Sequence, residues 1–190
     1  MNDIMDRYRR SQDGFDRVLA GVPADAWDHP SACADWTIAD VTGHVIWGQH
    51  LVRHWARGEE YTEVTGAPGT PHPAPMAGAD PVAAWRAARE RSLATLDADA
   101  LRRPVDTRAL GTIPLEEFLE ALVTDFLAHT WDIGHPLGQD IRLDPELVAG
   151  SFAWARTRPL RAPGGLGPEL TPPPGADEQT RYLAFLGRRA

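Results

Sequence analysis

Residues 113–132, IPLEEFLEALVTDFLAHTWD, decide how this chain is read. Leu115, Phe118, Leu119, Leu122, Phe126 and, just beyond, Ile133 recur at helical spacing and define one apolar face. Asp125 and His129 fall inside that face one turn apart, so their side chains project together. A carboxylate and an imidazole aimed at a core cost free energy unless something pairs with them. Two readings of the pair stand: a buried Asp–His hydrogen bond, or a shared metal ion.

A second stretch, residues 36–55, WTIADVTGHVIWGQHLVRHW, bears on that choice. Val41, Val45, Trp47, Leu51, Val52 and Trp55 form its apolar face, with Gly48 at an expected close-packing position and His44 near the middle. His50 and His54 have the spacing of a ligand pair, but helical phase sets them about a quarter to a third of a turn off the stripe, at the rim. His44, Asp125 and His129 are therefore expected to converge from two helices. That is the two-histidine, one-carboxylate set of open metal sites. Asp40 suits a capping box with Thr37, and its position one turn before His44 would also let it orient that imidazole.

Length and composition bound the function. The 190 residues read as a single domain, 1–190, with room for a full core. A net charge of −8 and the absence of any basic run argue against nucleic acid or an anionic membrane as partner. No apolar run approaches a membrane span, and the polar N-terminus does not read as a signal peptide. Cys33 is the one cysteine, which excludes an internal disulfide and a thiolate-rich cluster and fits a reducing, cytoplasmic setting. It reads as a small buried residue; the alternative is a nucleophile activated by the helix that follows. Lysine is absent altogether, as in high-GC genomes.

Around these two stretches the pattern is helical. Residues 3–19 form a first helix with Ile4, Tyr8, Phe15, Val18 and Leu19 inward. Residues 58–79, rich in Gly, Pro and Thr, are a long loop of the kind that is functional or mobile, with His72 solvated. Asp80 and Pro81 open a helix through about residue 96, with Val82, Trp85, Leu93 and Leu96 inward and Arg89 snorkelling to the surface. Residues 97–111 read as a turn with extended pieces near Val105 and Leu110. Asp144 and Pro145 open another helix through about Arg156, residues 158–175 are loop, and residues 177–186 close the chain with a short helix. No βαβ alternation, phosphate loop or serine-nucleophile pattern is present. The fold class is all-α, a four-helix bundle with short additional helices and long loops. Trp131 and Asp132, close behind His129, are expected to shape the mouth of the site or support its ligands.

Three segments, CADWTIADVTGH (33–44), DFLAHTWDIGHPLGQD (125–140) and GADEQTRYLAFLGRR (175–189), resemble the actinobacterial branch of the DinB-like superfamily, related to the mycothiol-dependent maleylpyruvate isomerases. The resemblance spans nearly the whole chain in motif order. It implies a DinB-like four-helix bundle, commonly a homodimer, holding a divalent metal on His44, Asp125 and His129. The superfamily often has His or Glu where this chain has the shorter Asp125, a departure that bears on metal preference. Zn, Ni, Mn and Fe all suit imidazole and carboxylate ligands. Family activities imply a mycothiol-dependent isomerase or S-transferase acting on a small electrophilic substrate. Two other classes stay open: a metal-dependent hydrolase or specialised-metabolism enzyme using activated water without a thiol cofactor, with Asp40 or Asp132 as the nearby base, and a metal-containing bundle that binds without turnover.

Overall fold

The computed structural model describes residues 3–161 and 166–190. In chain order its elements are α1 (Asp3–Ala20), α2 (Ile38–Ala56), a 3₁₀ turn (Ala74–Met76), α3 (Pro81–Leu93), α4 (Ala98–Arg102), β1 (Pro104–Thr107), β2 (Gly111–Pro114), α5 (Leu115–Gly134), α6 (Pro145–Ala155) and α7 (Glu178–Phe185). The four long helices close a bundle: α1 packs on α5 and α3, and α2 packs on α3 and α5. The expected all-α four-helix bundle is what the chain forms, with a two-stranded antiparallel hairpin added.

Side-chain caps explain where several helices begin. Thr37 and Asp40 form a capping box at α2, and Asp80, Asp144 and Asp177 cap α3, α6 and α7. Each such cap contributes about 1 kcal/mol. Proline follows the cap at α3 and α6, where its missing N–H costs nothing.

α5 differs from the expected helix with one apolar face. From Leu122 to Gly134 every residue except Asp125 is buried. The cause is packing on several sides, by α1, α2 and α6, so even Thr124, Thr130 and Asp132 lie inside. Asp125 is the single opening in that wall, and this places it at a cavity.

Other local expectations change for physical reasons. Residues 98–102 form the short α4, capped by Asp97, and Leu110 sits in the hairpin turn between the strands. Trp47, Trp55, Leu93 and Leu96 are only half-buried, because the last three cover the core from its edge and Trp47 packs on Tyr61 of the loop after α2. Gly48 is not the tight contact: a Cβ there would meet Leu122 at an ordinary 3.9 Å, whereas one on Gly43 would lie 2.1 Å from the Pro73 carbonyl oxygen. Arg89 reaches Asp13 at the rim, and its Nε also donates to Gln12, 3.2 Å away. Gln12 belongs to a buried polar cluster in which Tyr8, Gln12 and Ser92 all donate to the Gln49 side-chain oxygen at 2.7–3.1 Å.

Candidate functional site

α2 and α5 bring His44, Asp125 and His129 together, and one donor atom from each lies within 4.8 Å of the others. Nε2 of His129 is 3.2 Å from one oxygen of Asp125, and Nε2 of His44 is 3.6 Å from the other. The two imidazoles meet edge to face, with centroids 5.2 Å apart. Both are buried, while a third of the Asp125 side chain is exposed. His50 and His54 stay outside this group, packed on Tyr61.

The far side of each imidazole is tied down. Nδ1 of His44 lies 2.7 Å from the Gly66 carbonyl oxygen. Nδ1 of His129 lies 2.9 Å from Asp132. Neither a carbonyl nor a carboxylate can donate, so Nδ1 carries the proton in both rings and Nε2 faces the cluster. Of the two duties open to Asp40, capping α2 and orienting His44, it performs the first: it accepts from the Thr37 and Ala74 backbone N–H groups and serves as a cap and loop anchor.

The loop after α2 is therefore part of the site. Trp36 donates its indole N–H to the Thr70 carbonyl, and Trp47 to that of Glu63. A Cβ on Gly66 would fall 2.2 Å from the Trp47 Cβ, so only glycine lets the loop come close enough to reach His44. The Gly66 partner had no signature in sequence, since a backbone carbonyl belongs to every residue type.

Asp132 is fully buried and is shared: Arg188, from the segment after α7, donates to both of its oxygens at 3.1 and 2.8 Å. Asp132 thus supports His129, as its position suggested, whereas Trp131 stacks on His135. Arg188 was not picked out from sequence. Its place in the C-terminal segment of the family resemblance was the one available signal.

Charge follows this arrangement. Burial alone would raise the Asp125 carboxyl, but His129 and His44 outweigh it and hold it well below the ordinary range. Burial would lower His129, but Asp125 and Asp132 outweigh that and raise it to about 9. Burial, helped by Asp132, pushes the Cys33 thiol up to about 12, the opposite of the lowering that an activated nucleophile needs. Cys33 is half-buried in the cavity wall.

The cavity over the three residues encloses about 220 Å³ between Cys33, Trp36, Asp125, His129, Leu166 and Arg188. A second chamber of about 500 Å³ adjoins it, sharing Cys33, Trp36 and Arg188, with Asp35 and Thr70 at its wall. A further groove of about 280 Å³ holds Arg10 and Asp144, but those two charges pair with each other. Of these three, only the first cavity is lined by His44, Asp125 and His129.

Fold and site together define a helical bundle with two histidines and a carboxylate gathered between two of its long helices. Residues 8–134 match the family described as the mycothiol maleylpyruvate isomerase N-terminal domain, and the chain belongs to that family. His44, Asp125, His129 and Asp132 all lie within the matched residues, and Arg188 lies beyond them. Uncharacterized protein Rv0738 of Mycobacterium tuberculosis is 32% identical over 197 residues, covering 98% of each chain. The crystal structure of the mycothiol-dependent maleylpyruvate isomerase is similar with a TM-score of 0.55 at 21% identity, over 69% of this chain and 60% of that one. A mutant of that isomerase gives the same TM-score at 19% identity. These structures share the fold, and the chain spans 60% of the solved enzyme's length.

Proposed function

We propose that this protein is a divalent-metal-dependent enzyme of the mycothiol-dependent isomerase or S-transferase type, acting on a small electrophilic substrate, with His44, Asp125 and His129 as metal ligands. The observation that carries the reading is the orientation of the two rings. Both Nδ1 atoms are occupied by acceptors, and both Nε2 atoms face one carboxylate. That donor set fits a divalent ion with open positions, Zn, Ni, Mn or Fe. A bound ion would supply a Lewis acid that makes a cofactor sulfhydryl ionise near neutral pH.

The chain's own residues would do the rest. Trp36, tied to Thr70, covers both imidazoles at ring distances of 5.0 and 6.3 Å and limits water around them. The inner chamber, below the about 300–1,000 Å³ usual for ligand pockets, favours a compact substrate. The hydrolase reading loses its base, because Asp40 is spent on capping and Asp132 on Arg188 and His129. We also take residues 1–190 as one functional unit in a cytoplasmic setting; among the described residues no helix is long and apolar enough to cross a membrane. The family resemblance adds a homodimer, for which light scattering should give twice 20.8 kDa.

The test is metal analysis of protein purified without added metal, followed by assays with electrophilic substrates with and without mycothiol. Thiol-dependent turnover that disappears on metal removal is expected. Full turnover without any thiol would favour the hydrolase class, and metal uptake without turnover the binding class.

A further inference from the structure

We propose that Arg188 is a positioning residue of the metal site: it acts through Asp132, whose carboxylate it locks so that His129 is held in ligand geometry. The proposal rests on the metal reading above.

The chain delivers Arg188 by a defined route. Tyr182 of α7 is fully buried, with its hydroxyl 2.8 Å from Ser151 of α6 and 3.4 Å from the Thr124 carbonyl of α5. Ser151 in turn bonds the Thr124 hydroxyl at 2.7 Å. α7 is thus fastened to the ligand helix one residue from Asp125. Gly187 ends α7 with φ of +84°, and its N–H bonds Ala184 while the Arg188 N–H bonds Leu183. This pair of bonds is a Schellman turn, which needs glycine at the left-handed position and sends the next residue back along the helix. That next residue is Arg188.

At its end the guanidinium has little freedom. Nε and Nη2 take the two oxygens of Asp132 in a planar fork, Nη1 donates to the Leu186 carbonyl at 2.8 Å, and only 12% of the side chain is exposed. Asp132 itself is fully buried, so its oxygens have no water to turn to. With Arg188 in place, the oxygen that accepts from Nη2 also faces Nδ1 of His129 and is held in a single direction. Without it, the carboxylate must rotate toward other donors and the ring loses its fixed acceptor. Partners of this kind behind a histidine ligand typically change metal affinity about 10- to 100-fold. An alternative duty, anchoring an anionic substrate, would require Arg188 to give up these bonds, although it does line the cavity.

The experiment is a double-mutant cycle on the full chain, read as Zn²⁺ affinity by competition with a chromophoric chelator. Urea unfolding of each metal-free protein checks the fold. Arg188→Met should weaken Zn²⁺ binding about 10- to 100-fold, and Arg188→Lys should recover part of the loss, because an ammonium restores charge without the fork. With Asp132→Asn already present, Arg188→Met should cause little further loss, because its effect passes through that carboxylate. If Arg188→Met fails to fold, Arg188→Lys enters the same cycle with the same requirement. Wild-type affinity in a folded Arg188 variant, losses that simply add, or a change confined to KM for an anionic substrate would overturn the proposal and leave the metal reading standing. A wild-type protein that takes up no Zn²⁺ would overturn both.

Discussion

His44 and Gly66, 22 residues apart, meet at 2.7 Å between a ring nitrogen and a backbone carbonyl. A histidine on the bundle is thereby oriented by a loop, and the loop holds its place only because two glycines allow it. Gly66 admits Trp47, and Gly43 admits Pro73.

The glycines of this region should therefore respond in opposite ways. Gly43→Ala and Gly66→Ala each force a Cβ into contacts of 2.1 and 2.2 Å and should destabilise the fold by about 1–3 kcal/mol. Gly48→Ala meets only Leu122 at 3.9 Å and should stabilise α2 by up to about 1 kcal/mol. Urea unfolding of the three variants checks the order, and Gly66→Ala should also weaken metal binding.

Asp125→Asn keeps the shape of the side chain and removes the charge facing both imidazoles. Metal affinity should fall by at least about the 10- to 100-fold expected for a supporting residue, with the helix content unchanged by circular dichroism. In the metal-free protein the same change should lower the His129 pKa from about 9, since Asp125 is the larger of the two carboxylate influences on it. Histidine NMR titration reads this directly.

pH dependence follows from His129. Its folded pKa of about 9 lies above the ordinary 6.5, so the protonated ring stabilises the metal-free protein fully below about pH 6.5. That contribution is lost as pH rises through about 9. A metal ion competes with the proton on Nε2, so metal uptake at pH 7 should release a proton and tighten as pH rises across the same window. Calorimetry in buffers of different ionisation enthalpy measures the released proton.

His129→Ala should abolish turnover under either enzymatic reading, because it removes a ligand and the acceptor chain behind it. Activity retained in the metal-free variant would leave neither reading standing. The check is a thiol-conjugation assay on the variant after exhaustive chelation.

The three central residues were legible in sequence because helical phase is periodic and Asp125, His129 and His44 interrupt apolar stripes. What supports them was legible only where it was local. Asp132 lies three residues from His129 and could be named, but Arg188 is 56 residues from Asp132 and joins it through a turn at Gly187. Around Tyr8, whose inward phase was legible, Gln12, Gln49 and Ser92 escaped for a related reason: each looks solvent-facing until its partners on other helices are known. α5 exceeded its predicted face because a helix packed on several sides leaves no polar face to mark its phase.

The central claim is that His44, Asp125 and His129 share one metal ion, and anomalous X-ray scattering from crystals of protein purified without added metal and then given Zn²⁺ tests it most directly. The account predicts one strong peak at the zinc edge, about 2.0–2.2 Å from Nε2 of His44, Nε2 of His129 and an oxygen of Asp125. A peak held by other residues, or none at that position at saturating Zn²⁺, would contradict it.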